Sequence, residues 1–140
     1  MQEEKYGVHV TATRREFLQV YAVLQETKNE KSTKFAAIVL KNLAVIEAAL
    51  NPLEEMAKPS QEFLELSTKA QELIAAENEA GLKQLEEEHA ELLQARRDQM
   101  EAVNKELDSE VTLELKMINE KLLPETLSAA QLETLIKIIN

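Results

Sequence analysis

The chain has 140 residues, no cysteine and a formal net charge of −10. The missing cysteine excludes disulfides, thiolate nucleophiles and cysteine-ligated zinc, and the acidic balance disfavours direct contact with nucleic-acid phosphates. Two glycines and three prolines leave few turns, so the fold should consist of few, long elements. Aromatic residues are scarce, and the core must rest on Leu, Ile, Val and Ala, which suits helix-on-helix packing. No apolar run approaches the ~20 residues that span a bilayer. Met1–Lys5 lacks the apolar centre of a signal peptide. A cytoplasmic setting is the corresponding expectation.

Tyr6–Ala12 alternates and is β-branched, which predicts a short strand. Thr13-Arg14-Arg15-Glu16 fits a capping box that opens a helix over Arg14–Glu26, with Phe17, Leu18, Tyr21 and Leu24 on its inner side. Lys28–Ser32 reads as a polar connection, and Ser32 or Thr33 as the cap of a second helix. That helix is the most apolar segment, through Phe35, Ile38, Val39, Leu43, Ile46 and Leu50. Its wide apolar arc predicts a central helix touched on more than one side. Pro52 removes a helical hydrogen bond at a cost of ~3 kcal/mol. Asn51-Pro52-Leu53-Glu54 also makes a good helix start, so a kink or a restart is expected there.

Ser60–Asp108 organises the chain. Phe63, Leu66, Ala70, Leu73, Ile74, Leu85, Leu92, Met100, Val103 and Leu107 recur three or four apart, as on one buried helical stripe. Two readings of this stretch stay open. Gly81 can sit at a helix C-terminus, where the chain reverses into a hairpin. It can equally be a tolerated glycine in one helix roughly 70 Å long. After Asp108-Ser109 the period changes to strict alternation over Val111–Met117, a half-buried strand that should pair with the N-terminal one. Leu122–Glu125 is a loop. Ser128–Gln131 forms a second capping box, opening a short helix with Leu132, Leu135, Ile136 and Ile139 inward. The fold class that follows is mainly α: a helical bundle or long helical hairpin in a single 140-residue domain, with a small two-stranded β element formed by the N- and C-terminal segments.

Charge is unevenly placed. Residues 59–110 hold fourteen Asp or Glu against five Lys or Arg, a net of −9, whereas residues 1–58 balance eight against eight. Glu65–Lys69, Glu79–Lys83 and Glu101–Lys105 have the i, i+4 order that stabilises an exposed helix. Glu86 and His89 have a spacing that can chelate a metal on a helix, but a helical di-metal site needs a matched motif on a second helix, and none is present. His89 therefore reads as a histidine beside the apolar stripe. Glu86–Glu88 read as a solvated face rather than a catalytic pair. Arg14, Arg15, Lys28, Lys31 and Lys34 cluster near the first helix and read first as ordinary surface charge; Arg14 and Arg15 oppose the helix dipole, so the alternative is contact with acid, which can be only the chain's own. No phosphate loop, nucleophile elbow or catalytic triad pattern occurs. No catalytic residue, cofactor or metal is expected.

The order of segments carries a resemblance. An N-terminal strand runs into Phe17-Leu18 and Tyr21–Leu24. The polar Lys28–Lys34 linker, an acidic helical middle, a strand, the Leu123-Pro124-Glu125 loop and a short amphipathic helix follow. This pattern resembles small phage- or prophage-encoded acidic helical proteins. It implies a phage origin and transfers no activity. Two functional classes follow. One is an interaction module, an inhibitor or regulator, that binds a basic surface of a host or phage protein through Glu86, Glu87, Glu88, Glu91, Asp98 and Glu101 and can mimic nucleic-acid charge. The other is a structural or assembly component of a phage particle. Either way, the long apolar stripe predicts a homo-oligomer, most simply a dimer.

Overall fold

The computed structural model describes residues 7–28 and 33–139. Tyr6 of the expected strand, residues 29–32 of the expected connection with Ser32 as candidate cap, and Lys31 of the basic cluster lie outside them. Six α-helices and one two-stranded antiparallel sheet occur among the described residues: β1 (Gly7–Thr13), α1 (Arg14–Thr27), α2 (Thr33–Ala57), α3 (Gln61–Ala75), α4 (Glu79–Glu88), α5 (Ala90–Leu107), β2 (Glu110–Lys116) and α6 (Ala129–Leu135). They fall into two compact units, Met1–Pro52 with Leu107–Asn140 and Leu53–Glu106.

In the first unit β1 pairs with β2 along its whole length, from Gly7 opposite Lys116 to Thr13 opposite Glu110. The alternation seen in the sequence selects the faces. Val10, Ala12 and Leu115 are buried, while His9, Thr11, Thr112 and Glu114 face water. On the wet face the Thr11 and Thr112 hydroxyls lie 2.7 Å apart, and His9 approaches Glu114 at 3.9 Å. The Thr13 capping box forms, with Glu16 N–H donating to the Thr13 hydroxyl and Thr13 N–H to the Glu16 carboxylate. The Thr13 amide, then its hydroxyl, hold the Glu16 carboxyl below its ordinary range. Arg14 and Arg15 meet the chain's own residues: Arg14 donates to Ser109 Oγ at 2.6 Å and Arg15 to Asp108 at 2.9 Å, which ties the start of α1 to the start of β2.

The buried side of α1 is Phe17, Val23, Leu24 and Thr27. Leu18, expected inward, is 46% exposed, because the stripe follows Phe17 at i+6, i+7 and i+10 rather than its neighbour. In α2 a single stripe is buried: Phe35, Val39, Asn42, Leu43, Ile46, Leu50 and Leu53. The helix is therefore not wrapped on several sides, and Leu40 and Val45 face outward. By length and hydropathy alone α2 could cross a membrane, contrary to the reading of the sequence. Its buried stripe nevertheless carries Asn42, fully enclosed and bonded to β2. Asn42 Nδ2 donates to the Lys116 carbonyl at 3.0 Å, and Lys116 N–H donates to Asn42 Oδ1 at 2.7 Å. One side-chain amide thus stands in for the peptide group of a third strand. Two residues on, Ile118 N–H donates to the Ile138 carbonyl, so segments outside β1 occupy this side of the chain after β2. Pro52 is accommodated inside α2 with no restart, and the division between the two units falls there.

The Ser128 capping box opens α6 as expected. Its apolar face changes at the end, where Ile136–Ile138 tightens into a 3₁₀ turn. Three residues per turn place Ile138 beneath Leu135. Ile138 is buried and Ile136 is 62% exposed, the reverse of what helical spacing gives for Ile136.

In the second unit the hairpin reading of residues 60–108 holds in outline and the single-helix reading does not. The chain turns, but at Ala76–Asn78. Glu77 adopts a positive φ of 55°, Glu77 N–H donates to the Ile74 carbonyl, and Asn78 N–H to the Leu73 carbonyl. This is the double closure of a Schellman cap, with glutamate where glycine is usual. Asn78 then caps α4, its side chain accepting from Gly81 N–H at 2.9 Å. Gly81 therefore sits in the first turn of α4 rather than at a reversal. A second interruption at His89 separates α4 from α5. At the end of α2, Arg96 donates to the Ala57 carbonyl and Gln99 to the Met56 and Lys58 carbonyls, satisfying acceptors that a helix C-terminus leaves open. Arg96 also stacks over Phe63, 5.3 Å from the ring centroid.

Candidate functional site

The Schellman turn sends α4 and α5 back along α3, and an apolar groove of about 520 Å³ opens between them. Phe63, Leu66 and Ala70 of α3 form one wall. Leu82, Leu85 and Leu93 form the other, and Glu86, Glu87 and Arg97 stand at the rim. Only Leu66 of these walls is fully buried, so the stripe of Ser60–Asp108 is covered in part and left open in part.

All six predicted acidic residues are exposed. Glu86, Glu87 and Glu88 form the last turn of α4, and Glu91, Asp98 and Glu101 project from α5. The structure brings Glu86 and Glu87 to the groove and spreads the others along the helices, with Glu91 and Glu101 separated by roughly 15 Å of helix rise. Glu88 accepts from Gln84 and Asp98 from Gln94. The expected Glu65–Lys69, Glu79–Lys83 and Glu101–Lys105 pairs are not in contact. Ion pairs among the described residues include His9–Glu114, Arg15–Asp108 and Lys58–Glu55. Holding two long exposed side chains together costs rotamer entropy that water-screened attraction hardly offsets. His89 is half-buried at the end of α4. Among the described residues no three His, Asp or Glu side chains converge as metal ligands would.

Phe63, Leu66, Ala70 and Leu85 belong to the stripe read from the sequence; Leu82 and Leu93 were missed, as was the groove, whose formation depends on the turn at Glu77. Asn78, placed three residues before Gly81 as a helix N-cap, was the available signal. No protein-family model, no curated protein and no solved structure matches the chain.

Proposed function

We propose that the chain is a non-enzymatic interaction module whose α3/α4–α5 groove takes a basic, amphipathic segment of a protein partner. The observation that carries this reading is the groove itself: an apolar trough with Glu86 and Glu87 at its rim, in a unit with fourteen acidic and six basic residues, net −8. Apolar anchors of a partner helix fit the trough, and Lys or Arg beside them meet the rim. Glu88, Glu91, Asp98 and Glu101 extend the negative potential along α4 and α5, which supports steering of a basic partner and the imitation of nucleic-acid charge. Six exposed carboxylates suit surface electrostatics better than proton transfer, and no cofactor or metal enters the reading. The resemblance noted above makes a phage-encoded inhibitor or regulator of a host or phage protein its biological setting.

The test is affinity capture from host lysate at low and high salt, followed by titration of the captured protein. A basic partner that is released by salt and lost on E86K/E87K/E91K/D98K supports the reading. A partner retained by that variant and indifferent to salt replaces it with the structural or assembly role.

A further inference from the structure

The first unit carries a groove of the opposite character. It measures about 700 Å³ and lies between α2 and the chain following β2. Lys34, Ala37, Ile38 and Lys41 recur at i, i+3, i+4 and i+7 and form the α2 wall. Lys116 and Lys121 stand on the other wall. Ile38, Met117 and Leu122 are half-buried and make an apolar floor between the lysines. The walls are fixed in place. Asn42, next to Lys41, bonds both backbone groups of Lys116, and Lys121 N–H donates to Asn119 Oδ1 at 2.9 Å. Among the described residues no carboxylate lines the groove, and none of the four lysines takes part in an ion pair. Glu114, two places before Lys116 on β2, approaches His9 instead. In a chain with 26 acidic and 16 basic residues, the groove lining holds four basic residues and no acidic one. Four like charges held on a rigid frame without counter-charge repel one another, and an anionic occupant relieves that repulsion.

The placement of the lysines selects among anions. Lys34 and Lys41 are seven residues apart, about 10.5 Å along α2, and the other pair stands across the floor. An anion with a single headgroup reaches the lysines at one end and lays its apolar tail beside those at the other. A flat bilayer surface does not follow a concave floor. Single-stranded nucleic acid needs aromatic side chains on which its bases stack, and none lines the groove among the described residues. An amphipathic helix with acid on both flanks of its apolar stripe meets all three features, since carboxylates seven residues apart repeat at the same roughly 10.5 Å. We infer that this groove binds an acidic amphipathic helix of another protein. The helix lays its apolar stripe on Ile38, Met117 and Leu122 and its carboxylates against Lys34 and Lys41 on one side and Lys116 and Lys121 on the other. The two grooves of the chain lie in different units and select partners of opposite charge.

Fluorescence anisotropy on the full chain tests this, with a labelled peptide of two Glu-Leu-Leu-Glu-Glu-Ala-Leu repeats as the probe. The wild type should bind the peptide, and less tightly as salt rises. K34E/K41E and K116E/K121E should each weaken binding by at least about tenfold, since each sets like charges against the peptide. I38S should weaken it without changing charge. Circular dichroism verifies that each variant keeps the wild-type helix content. A probe that does not bind, or binding indifferent to both reversals, overturns the inference. So does lysine-dependent binding of oleate or of phosphatidylglycerol vesicles by a chain that leaves the peptide free. The lysine variants should still bind the basic partner of the acidic groove, so failure here and failure of the proposed function give different results.

Discussion

Fourteen of the seventeen buried apolar side chains among the described residues lie in the first unit. Three, Leu53, Leu66 and Val103, lie in the second. The first unit closes a core around Phe17, Leu24, Phe35, Ile46, Leu115 and Leu135, all within 1% of complete burial. The second holds three helices, α3 and α4 with side-chain N-caps, a cation–π contact and side-chain bonds to helix ends, over a trough that stays partly open. Stability is therefore concentrated in the unit that joins the two halves of the chain through β1 and β2, and adaptability in the acidic unit. A surface that must accept a partner cannot already be filled by its own side chains.

The sharpest way to break this contrast is to truncate a core side chain in each unit. Phe35→Ala should cost about 3–5 kcal/mol, because a fully enclosed ring leaves a cavity. Leu66→Ala should fall at the low end of the roughly 2–5 kcal/mol range for leucine, since its half-exposed surroundings can collapse. Urea denaturation followed by circular dichroism measures both, and equal costs would refute the contrast.

Asn42 comes next. Asn42→Leu keeps the volume and removes both bonds to Lys116, leaving an N–H and a carbonyl without partners at about 1–3 kcal/mol each. A loss of about 2–6 kcal/mol is expected, together with faster exchange of the Lys116 amide. If that amide stays protected, Asn42 is not what closes the β2 edge.

The same positions show what could be read in advance. Both capping boxes, the alternation of β1 and β2 and their pairing were legible, since each depends on residues within a few positions or on a period of two. Asn42 was not, because nothing local separates a helical asparagine that faces water from one that completes a strand 74 residues away. Ile136 and Ile138 exchanged roles because a 3₁₀ turn alters the period after the helix has begun correctly. The acidic residues of the candidate site were visible as a charge run, but the groove behind Glu86 and Glu87 was not. It exists because the chain reverses at a glutamate, and the expectation followed the nearest glycine. Lys34 and Lys41 meet Lys116 and Lys121 only in the folded unit, so no pattern in the sequence joins them.

Glu77 offers a change in the opposite direction. An L-residue other than glycine at positive φ costs roughly 1–2 kcal/mol, and glycine returns part of that as entropy of the unfolded chain. Glu77→Gly should stabilise the chain by about 1 kcal/mol, read as a higher urea midpoint at unchanged slope. A destabilised variant would show that the Glu77 side chain contributes more than its backbone strain costs.

The smallest expected effect is the most diagnostic for the turn. Alanine is a better helix former than glycine by about 1 kcal/mol, so Gly81→Ala in α4 should stabilise if only propensity counts. A Cβ at Gly81, however, would lie 2.6 Å from Asn78 Nδ2 and 2.9 Å from its Cγ. Asn78 must rotate away, giving up the bond from Gly81 N–H that caps the helix, a loss of about 1 kcal/mol. The two terms cancel, and Gly81→Ala alone should change stability by roughly zero. Asn78→Ala alone should cost about 1 kcal/mol. In that background the cap is already gone, and Gly81→Ala should recover about 1 kcal/mol. The double-mutant cycle therefore carries a coupling near 1 kcal/mol, well above the usual departure from additivity for independent sites. If Gly81→Ala stabilises equally in both backgrounds, Asn78 does not hold the start of α4, and the reversal that forms the acidic groove rests on Glu77 alone.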